Sequence, residues 1–173
     1  MTFFATGGFS AEKAPQKVVE FANSELIKIG TNPTIVSSVK AENGKGKTLE
    51  QIKKMDEKWR STPGIDDSMK ALMESDCGKY LREIQQKHAF LCEIFVMDNQ
   101  GANVAMTDKT SDYWQGDEAK FKESFKGGTG AVHISDVEFD DSTQVYVVQV
   151  SVPVKDGEQV IGAITFGVNL DKL

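Results

Sequence analysis

The chain is short of most features that announce a chemistry. Its two cysteines, Cys77 and Cys92, form no Cys-x-x-Cys pair, which excludes a zinc knuckle or a thioredoxin-type site. As isolated residues they are expected to be buried thiols rather than a disulfide. The two histidines, His88 and His133, stand far apart without a partner motif and read as structural. No apolar run approaches the roughly 20 residues that cross a bilayer. The richest stretch, 89–97, contains Glu93, so the chain as given is not expected to span a membrane. A basic excess is missing too: the net charge is −6 and the pI is near 5.0, against a general nucleic-acid binder. There is no Gly-x-Ser-x-Gly, His-Glu-x-x-His or Walker sequence. Gly127-Gly128-Thr129-Gly130 follows a helical pattern and precedes a strand, the reverse of what a phosphate cradle needs. Asp136, Glu138 and Asp140 lack the glycine and closing Glu of a calcium loop and read as a solvated edge. Nothing places two carboxylates as an acid–base pair. No catalytic residue, metal or cofactor is expected.

What is present is an ordinary globular composition. The chain has 173 residues, 39% apolar and 27% charged, which suits one domain with a single core. Charge is uneven. Residues 1–88 carry 14 basic and 12 acidic side chains, and residues 89–173 carry 6 and 14. That break predicts two layers within one domain over 12–173: a helical layer, 12–88, and a sheet layer, 89–173. Residues 1–11, apolar and rich in small side chains, read as a signal remnant or an expression scar.

Periodicity orders the elements. Ser10 is a candidate N-cap for a long helix striped by Val18, Val19, Phe21, Ala22, Leu26, Ile27 and Ile29 and closed by Gly30. Thr31-Asn32-Pro33 opens a second helix through Ile35, Val36 and Val39. Thr48 with Gln51 makes a capping box for a helix through Leu49, Ile52, Met55 and Trp59. Asp66 or Asp67 leads a helical reading through Met69, Leu72, Met73, Tyr80, Leu81 and Ile84 toward His88. Strands follow over 90–97 and 102–107, joined by the turn Asp98-Asn99-Gln100-Gly101. A polar loop, 108–116, and a short helix over 117–126 come next, then strands over 131–138, 145–154 and 160–170. Asp140-Asp141-Ser142 is expected to turn. The order predicts an α+β fold: a PAS-like, antiparallel five-stranded sheet with a long N-terminal helix and further helices packed on it, segregated to one side.

Alternation gives each late strand two faces. Tyr146, Val148, Val150 and Val152 share one, and Ile164, Phe166, Val168 and Leu170 the matching one. Those bulky faces are expected to pack on the long helix. The opposite faces hold Val147, Gln149 and Ser151, and Ala163, Thr165, Gly167 and Asn169. They either face water or floor a small polar pocket roofed by 108–125. The scarcity of Lys and Glu there favours the pocket.

Phe95-Val96-Met97-Asp98-Asn99-Gln100-Gly101, the run from Thr110 to Glu118 (TSDYWQGDE), Ser151-Val152-Pro153-Val154 and the segment from Gly162 to Leu170 (GAITFGVNL) together resemble the Cache family of extracytoplasmic sensor domains, in its single-module, PAS-like form. The resemblance implies a periplasmic or extracytoplasmic module that binds a small molecule between the sheet and the helix–loop layer. Family members commonly bind carboxylates or amino acids, and many sit in chemoreceptors or histidine kinases. The amino-acid-binding members carry an Arg and a Trp-Tyr pair shortly after the Asp-Tyr. Here the corresponding places hold Glu118, Lys120 and Phe121, and the missing Arg speaks against α-amino-acid recognition by that motif.

The candidate ligand-binding set is Trp59, Arg60, Lys109, Tyr113, Trp114, Lys120, Phe121, Gln149 and Thr165. Lys120, Arg60 or Lys109 would pair with a carboxylate. Tyr113 and Trp114 either wall a cavity or pin their loop to the sheet. Trp59 is a core residue or half of a Trp–Arg clamp. Asp112 reads as a cap or loop tie, and Gln149 and Thr165 as pocket floor. The function expected is a sensor for a small carboxylate or related metabolite in signal transduction or chemotaxis. A membrane receptor or kinase would be the partner, and the N-terminal helix the seam of any homodimer. The alternatives are a structural or interaction module of the same fold or, less favoured, a small enzyme.

Overall fold

A computed structural model describes residues 12–140 and 144–173; Ser10, the segment 1–11 and part of the expected 140–142 turn lie outside them. The first helical run comprises α1 (Gln16–Phe21), a π-helical turn (Ala22–Leu26) and α2 (Ile27–Ile29). It buries Val18, Ala22 and Leu26. It stops at Gly30, where an added Cβ would lie 2.2 Å from the Pro153 carbonyl oxygen. Only a residue without a side chain lets the helix end lie that close to the sheet.

Helix α3 (Pro33–Gly44) starts from Asn32, whose side chain accepts from Thr34 N–H at 2.9 Å. Helix α4 (Leu49–Ser61) carries the expected capping box. Gln51 N–H donates to Thr48 Oγ1 at 3.2 Å and Thr48 N–H to Gln51 Oε1 at 2.9 Å. The reading toward His88 breaks in two, α5 (Asp67–Glu74) and α6 (Asp76–Lys87), because Ser75 caps the second by accepting from Gly78 N–H.

The sheet runs β2-β1-β6-β5-β3, with β4 also on β5, and all recorded pairings are antiparallel. Its strands are β1 (Leu91–Met97), β2 (Asn103–Met106), β3 (His133–Ile134), β4 (Glu138–Asp140), β5 (Val145–Asp156) and β6 (Gln159–Asn169). Helix α7 (Ala119–Phe125) lies between β2 and β3 in the chain. The class is as expected, with six strands among the described residues rather than five. The segment expected as one third strand is split, because Ser135 Oγ takes the Gln149 N–H at 2.9 Å and Val137 N–H turns to the Glu12 carbonyl.

Both faces of the sheet are covered, so the helices are not segregated to one side. Ile94, Val96, Val148, Val150, Val152, Ile164, Phe166 and Val168 pack with Val18, Leu26, Val39, Leu81 and Ile84. This is the bulky face meeting the N-terminal helix, as the alternation requires. On the other face Phe95, Met97 and Ala163 pack with Ile52 and Trp59 of α4, Met69 of α5, Tyr113 and Phe121. Both cysteines are free; Cys77 is buried and Cys92 exposed, so only the first fits the buried-thiol expectation.

Candidate functional site

The loop between β2 and α7 is held from two sides. Asp56, buried on α4, accepts Tyr113 N–H at 2.8 Å and Trp114 N–H at 3.0 Å with the same Oδ1. One turn on, Trp59 Nε1 donates to the Thr110 carbonyl at 2.8 Å. From the sheet side, Asn103 N–H donates to the Tyr113 carbonyl and Gln115 N–H to the Gly101 carbonyl. The loop thus runs along β2 like an added edge, and Tyr113 turns inward beside Trp59, ring centroids 5.5 Å apart. Beneath it, Asn103 Oδ1 and Gln115 Oε1 are buried without a hydrogen-bond partner among the described residues.

Next to this pair a cleft of about 310 Å³ opens between the end of α3, α4 and α5. Its walls include Met55, Trp59, Ala71, Leu72 and Tyr113, and its charged groups are Glu42, Lys45, Lys47, Lys58 and Asp66. Lys47 sits at the inner end with 17% of its side chain exposed. Its ammonium donates to Tyr113 Oη at 2.7 Å and pairs with Glu42. Burial would lower the Lys47 pKa, but the bonds to Glu42 and Tyr113 outweigh it and raise the value. Burial likewise pushes the Tyr113 hydroxyl up, against the pull of Lys47. Glu42 ends below its ordinary value because Lys45 and Lys47 overcome its burial. At neutral pH the cleft therefore holds a charged lysine, a neutral tyrosine and an ionised, already paired glutamate.

A second cleft, about 320 Å³, lies on the opposite flank of α4, between Lys53, Asp56, Glu57, Arg60, Asp112 and Trp114. Arg60 is 56% exposed at its side chain, 3.3 Å from Asp56 and 3.7 Å from Asp112. Lys53 lies 4.8 Å from the Trp114 ring centroid, and Trp114 Nε1 donates to the Gln100 carbonyl.

The third location is the small-residue face of the sheet. Ser151 and Thr165 oppose each other across β5 and β6, share a hydrogen bond of 2.8 Å and are fully buried, and α7 lies across both strands. Gln149 Nε2 donates to Glu93 Oε1 at 3.3 Å. Burial pushes the Glu93 carboxyl up, opposed by the charge of Lys120. Lys120 Nζ is 3.0 Å from Glu118 and 5.5 Å from the Phe95 ring centroid, and Phe121 is buried beside it.

The nine candidate residues therefore fall into separate groups. Trp59 and Tyr113 meet at the first cleft, Arg60 and Trp114 at the second, and Lys120, Phe121, Gln149 and Thr165 on the sheet face. Lys109 is occupied elsewhere, donating to the Thr62 carbonyl at 2.7 Å. Asp112 pairs with Arg60 and accepts from Ser111 Oγ, the loop tie its position suggested. Sequence reasoning missed Asp56, Lys47, Glu42 and Glu93. A signal existed for Asp56: with Ile52 and Trp59 it forms an i, i+4, i+7 row, and an acid on a buried helical row needs a partner.

A sheet flanked by helices, with a loop–helix crossover folded over one face and clefts against it, is the architecture of a PAS-like sensor domain. Residues 72–173, more than half of the chain, match the family described as methyl-accepting chemotaxis protein-like, first PDC sensor domain, and the chain belongs to that family. It is a Cache-type sensor domain of signal transduction. Among solved structures it is similar to the ligand-binding domain of Campylobacter jejuni chemoreceptor Tlp3 in complex with 4-methylisoleucine, at 12% identity, covering 89% of this chain and 59% of that one, TM-score 0.43. It is similar to the ligand-binding domain of the Pseudomonas aeruginosa amino acid chemoreceptor PctC in complex with GABA, at 12% identity, 88% and 62% coverage, TM-score 0.46. It is also similar to the V. cholerae histidine kinase DctB sensor domain, at 13% identity, 91% and 58% coverage, TM-score 0.41. The chain spans about three fifths of the length of these structures. No curated protein matches it. No helix among the described residues is long and apolar enough to cross a membrane.

Proposed function

We propose that this sensor domain works outside the cytoplasm, in the periplasm, by binding a small carboxylate reversibly and without turnover in the cleft between α3, α4 and α5. The observation that carries this reading is Lys47. An ammonium has three N–H donors. Two are taken by Glu42 and Tyr113, which fix the group at the inner end of the cleft, and the third is left for a ligand. Trp59 and Tyr113 supply the adjoining aromatic surface. Arg60, Lys109 and Lys120, the cations expected for this task, are engaged elsewhere.

The output runs through the same contacts. The Lys47 carbonyl accepts from Gln100 Nε2 at 2.7 Å, and Asn43 at the end of α3 bonds both Asn99 N–H and the Ile161 carbonyl. A ligand that draws Lys47 outward pulls on the β1–β2 hairpin and on β6, and so biases the packing of the sheet on its helices. A membrane receptor or kinase would read that bias.

A thermal-shift screen of small carboxylates tests the reading. A saturable rise in Tm is expected by mass action. It should weaken at least about tenfold in concentration dependence in Lys47→Met and in Tyr113→Phe. A panel that leaves Tm unmoved, or a shift that survives both substitutions, would refute this site.

A further inference from the structure

The charges and walls of the same cleft, on the reading just given, narrow its ligand. We propose that it selects carboxylates with an apolar or aromatic body and rejects those that also carry an ammonium group, α-amino acids included.

Both acids lining the cleft already have cationic partners. Glu42 Oε2 lies 2.7 Å from Lys45 Nζ, and its other oxygen accepts from Lys47. Asp66 Oδ1 accepts from Ser68 Oγ at 2.6 Å and Met69 N–H at 2.9 Å, and its Oδ2 faces Lys58 at 3.5 Å. Those bonds, to Ser68 first and then Met69, hold the Asp66 carboxyl down at about 2. An incoming ammonium would have to displace a lysine or the helix cap of α5. It would also enter a site where three lysines face two acids. Specificity of this sort comes from rejection as much as attraction.

The body of the ligand is specified by what surrounds the lysines. Met55, 42% exposed, and Ala71, also exposed, stand at the mouth, and Leu72 and the buried Trp59 continue inward. The cleft continues along α4 into a hollow of about 540 Å³ that shares Lys45, Lys47, Met55 and Lys58 and adds Gln51 and Lys54. Lys54 makes no ion pair among the described residues. An apolar body with one anionic head matches this arrangement: the head at Lys47, the body along Met55 and Trp59.

Titration calorimetry with four probes tests the proposal: 3-phenylpropanoate, L-phenylalanine, phenethylamine and acetate. These separate the carboxylate, the ammonium and the apolar body. The expected order is 3-phenylpropanoate tighter than L-phenylalanine by at least about tenfold, tighter than acetate by a similar factor, and no heat from phenethylamine. Met55→Ser should weaken 3-phenylpropanoate and leave acetate unchanged. L-Phenylalanine binding as well as 3-phenylpropanoate, with both lost in Lys47→Met, would overturn the selectivity and leave the site standing. Acetate matching 3-phenylpropanoate would overturn the apolar-body claim in the same way. Binding of 3-phenylpropanoate unaffected by Lys47→Met would overturn the site itself, and silence from all four probes would overturn both.

Discussion

Removing the Asp56 carboxylate should loosen the whole loop that carries Tyr113 and Trp114. The residue is 6% exposed and a single oxygen takes two backbone N–H groups, at 2.8 and 3.0 Å. A hydrogen bond to a charged acceptor contributes about 1.5–3 kcal/mol. The two bonds share one acceptor and Trp114 is half-buried, so water recovers part of the loss. Asp56→Ala should therefore cost about 3 to 5 kcal/mol. At about 2–4 °C per kcal/mol for a domain of this size, Tm should fall by roughly 6 to 20 °C. Asp56→Asn keeps a neutral oxygen in place and gives up chiefly charge. The pair with Arg60, 56% exposed, adds little, so this variant should cost about 1 to 2 kcal/mol. Urea unfolding measures the totals, and hydrogen exchange at the Tyr113 and Trp114 amides locates them. Asp56→Ala costing under about 1 kcal/mol, or leaving those two amides as protected as before, would refute the claim that this carboxylate holds the loop.

Three further outcomes follow from the packing and charges. Glu93→Gln should stabilise the fold at neutral pH and flatten its pH dependence. A carboxyl whose folded pKa is raised by burial is neutral without penalty at low pH and costs stability as pH climbs past its unfolded value; Tm against pH for both proteins checks this. Glu42 works the other way, since a folded pKa below 4.5 contributes stability present above that value and lost as pH falls through the folded pKa. Glu42→Gln should therefore lose stability at pH 7 and converge with the parent in acid, as acid titration of the unfolding free energy would reveal. Gly162→Ala would set a Cβ 2.3 Å from the Met97 carbonyl oxygen and 2.9 Å from Val39 Cγ1, so it should cost about 1–3 kcal/mol or more, read by chemical unfolding.

The fold was legible where one signal decided the element. Alternation in β5 and β6 sorted Val148, Val150 and Val152 from Gln149 and Ser151, and Ile164, Phe166 and Val168 from Thr165, because a strand has only two faces. The Thr48–Gln51 capping box marked the start of α4 because its two bonds are local. Reading failed where partners came from far along the chain. The helix was expected through Leu49, Ile52, Met55 and Trp59, but that row does not mark its buried face: Leu49 and Met55 are 44% and 42% exposed. The row facing the sheet is Ile52, Asp56, Trp59, and Asp56 is explained only by the loop N–H groups 57 and 58 residues away. The third strand failed for the same reason: Ser135 and Val137 look like strand residues until Gln149 and Glu12 take their hydrogen bonds. Lys47 sits in a Gly-Lys-Gly-Lys turn between helices, where a lysine is ordinarily solvated. Its role depends on Tyr113, 66 residues on.

The contrast between the cleft and the sheet face favours the helices as the proposed ligand site. The sheet carries the polar side chains a pocket floor should have, but they answer one another. Ser151 and Thr165 share a hydrogen bond, Gln149 donates to Glu93, and α7 covers the strands. Opening that face would expose a buried, hydrogen-bonded hydroxyl pair and a carboxyl already short of solvation, at a cost of several kcal/mol before any ligand arrived. The α4 cleft needs no such opening. Its lysines retain donors, its aromatic and aliphatic walls already border open space, and its acids are neutralised in advance. Helix α4 also holds the sensor loop through Asp56 and, one turn on, Trp59. A ligand wedged against Trp59 and Met55, as proposed, would press on a helix whose displacement strains the loop. In the proposed mechanism α4 thus supplies Met55 and Trp59 to the ligand's wall and, through Asp56 and Trp59, carries the loop that its displacement would strain.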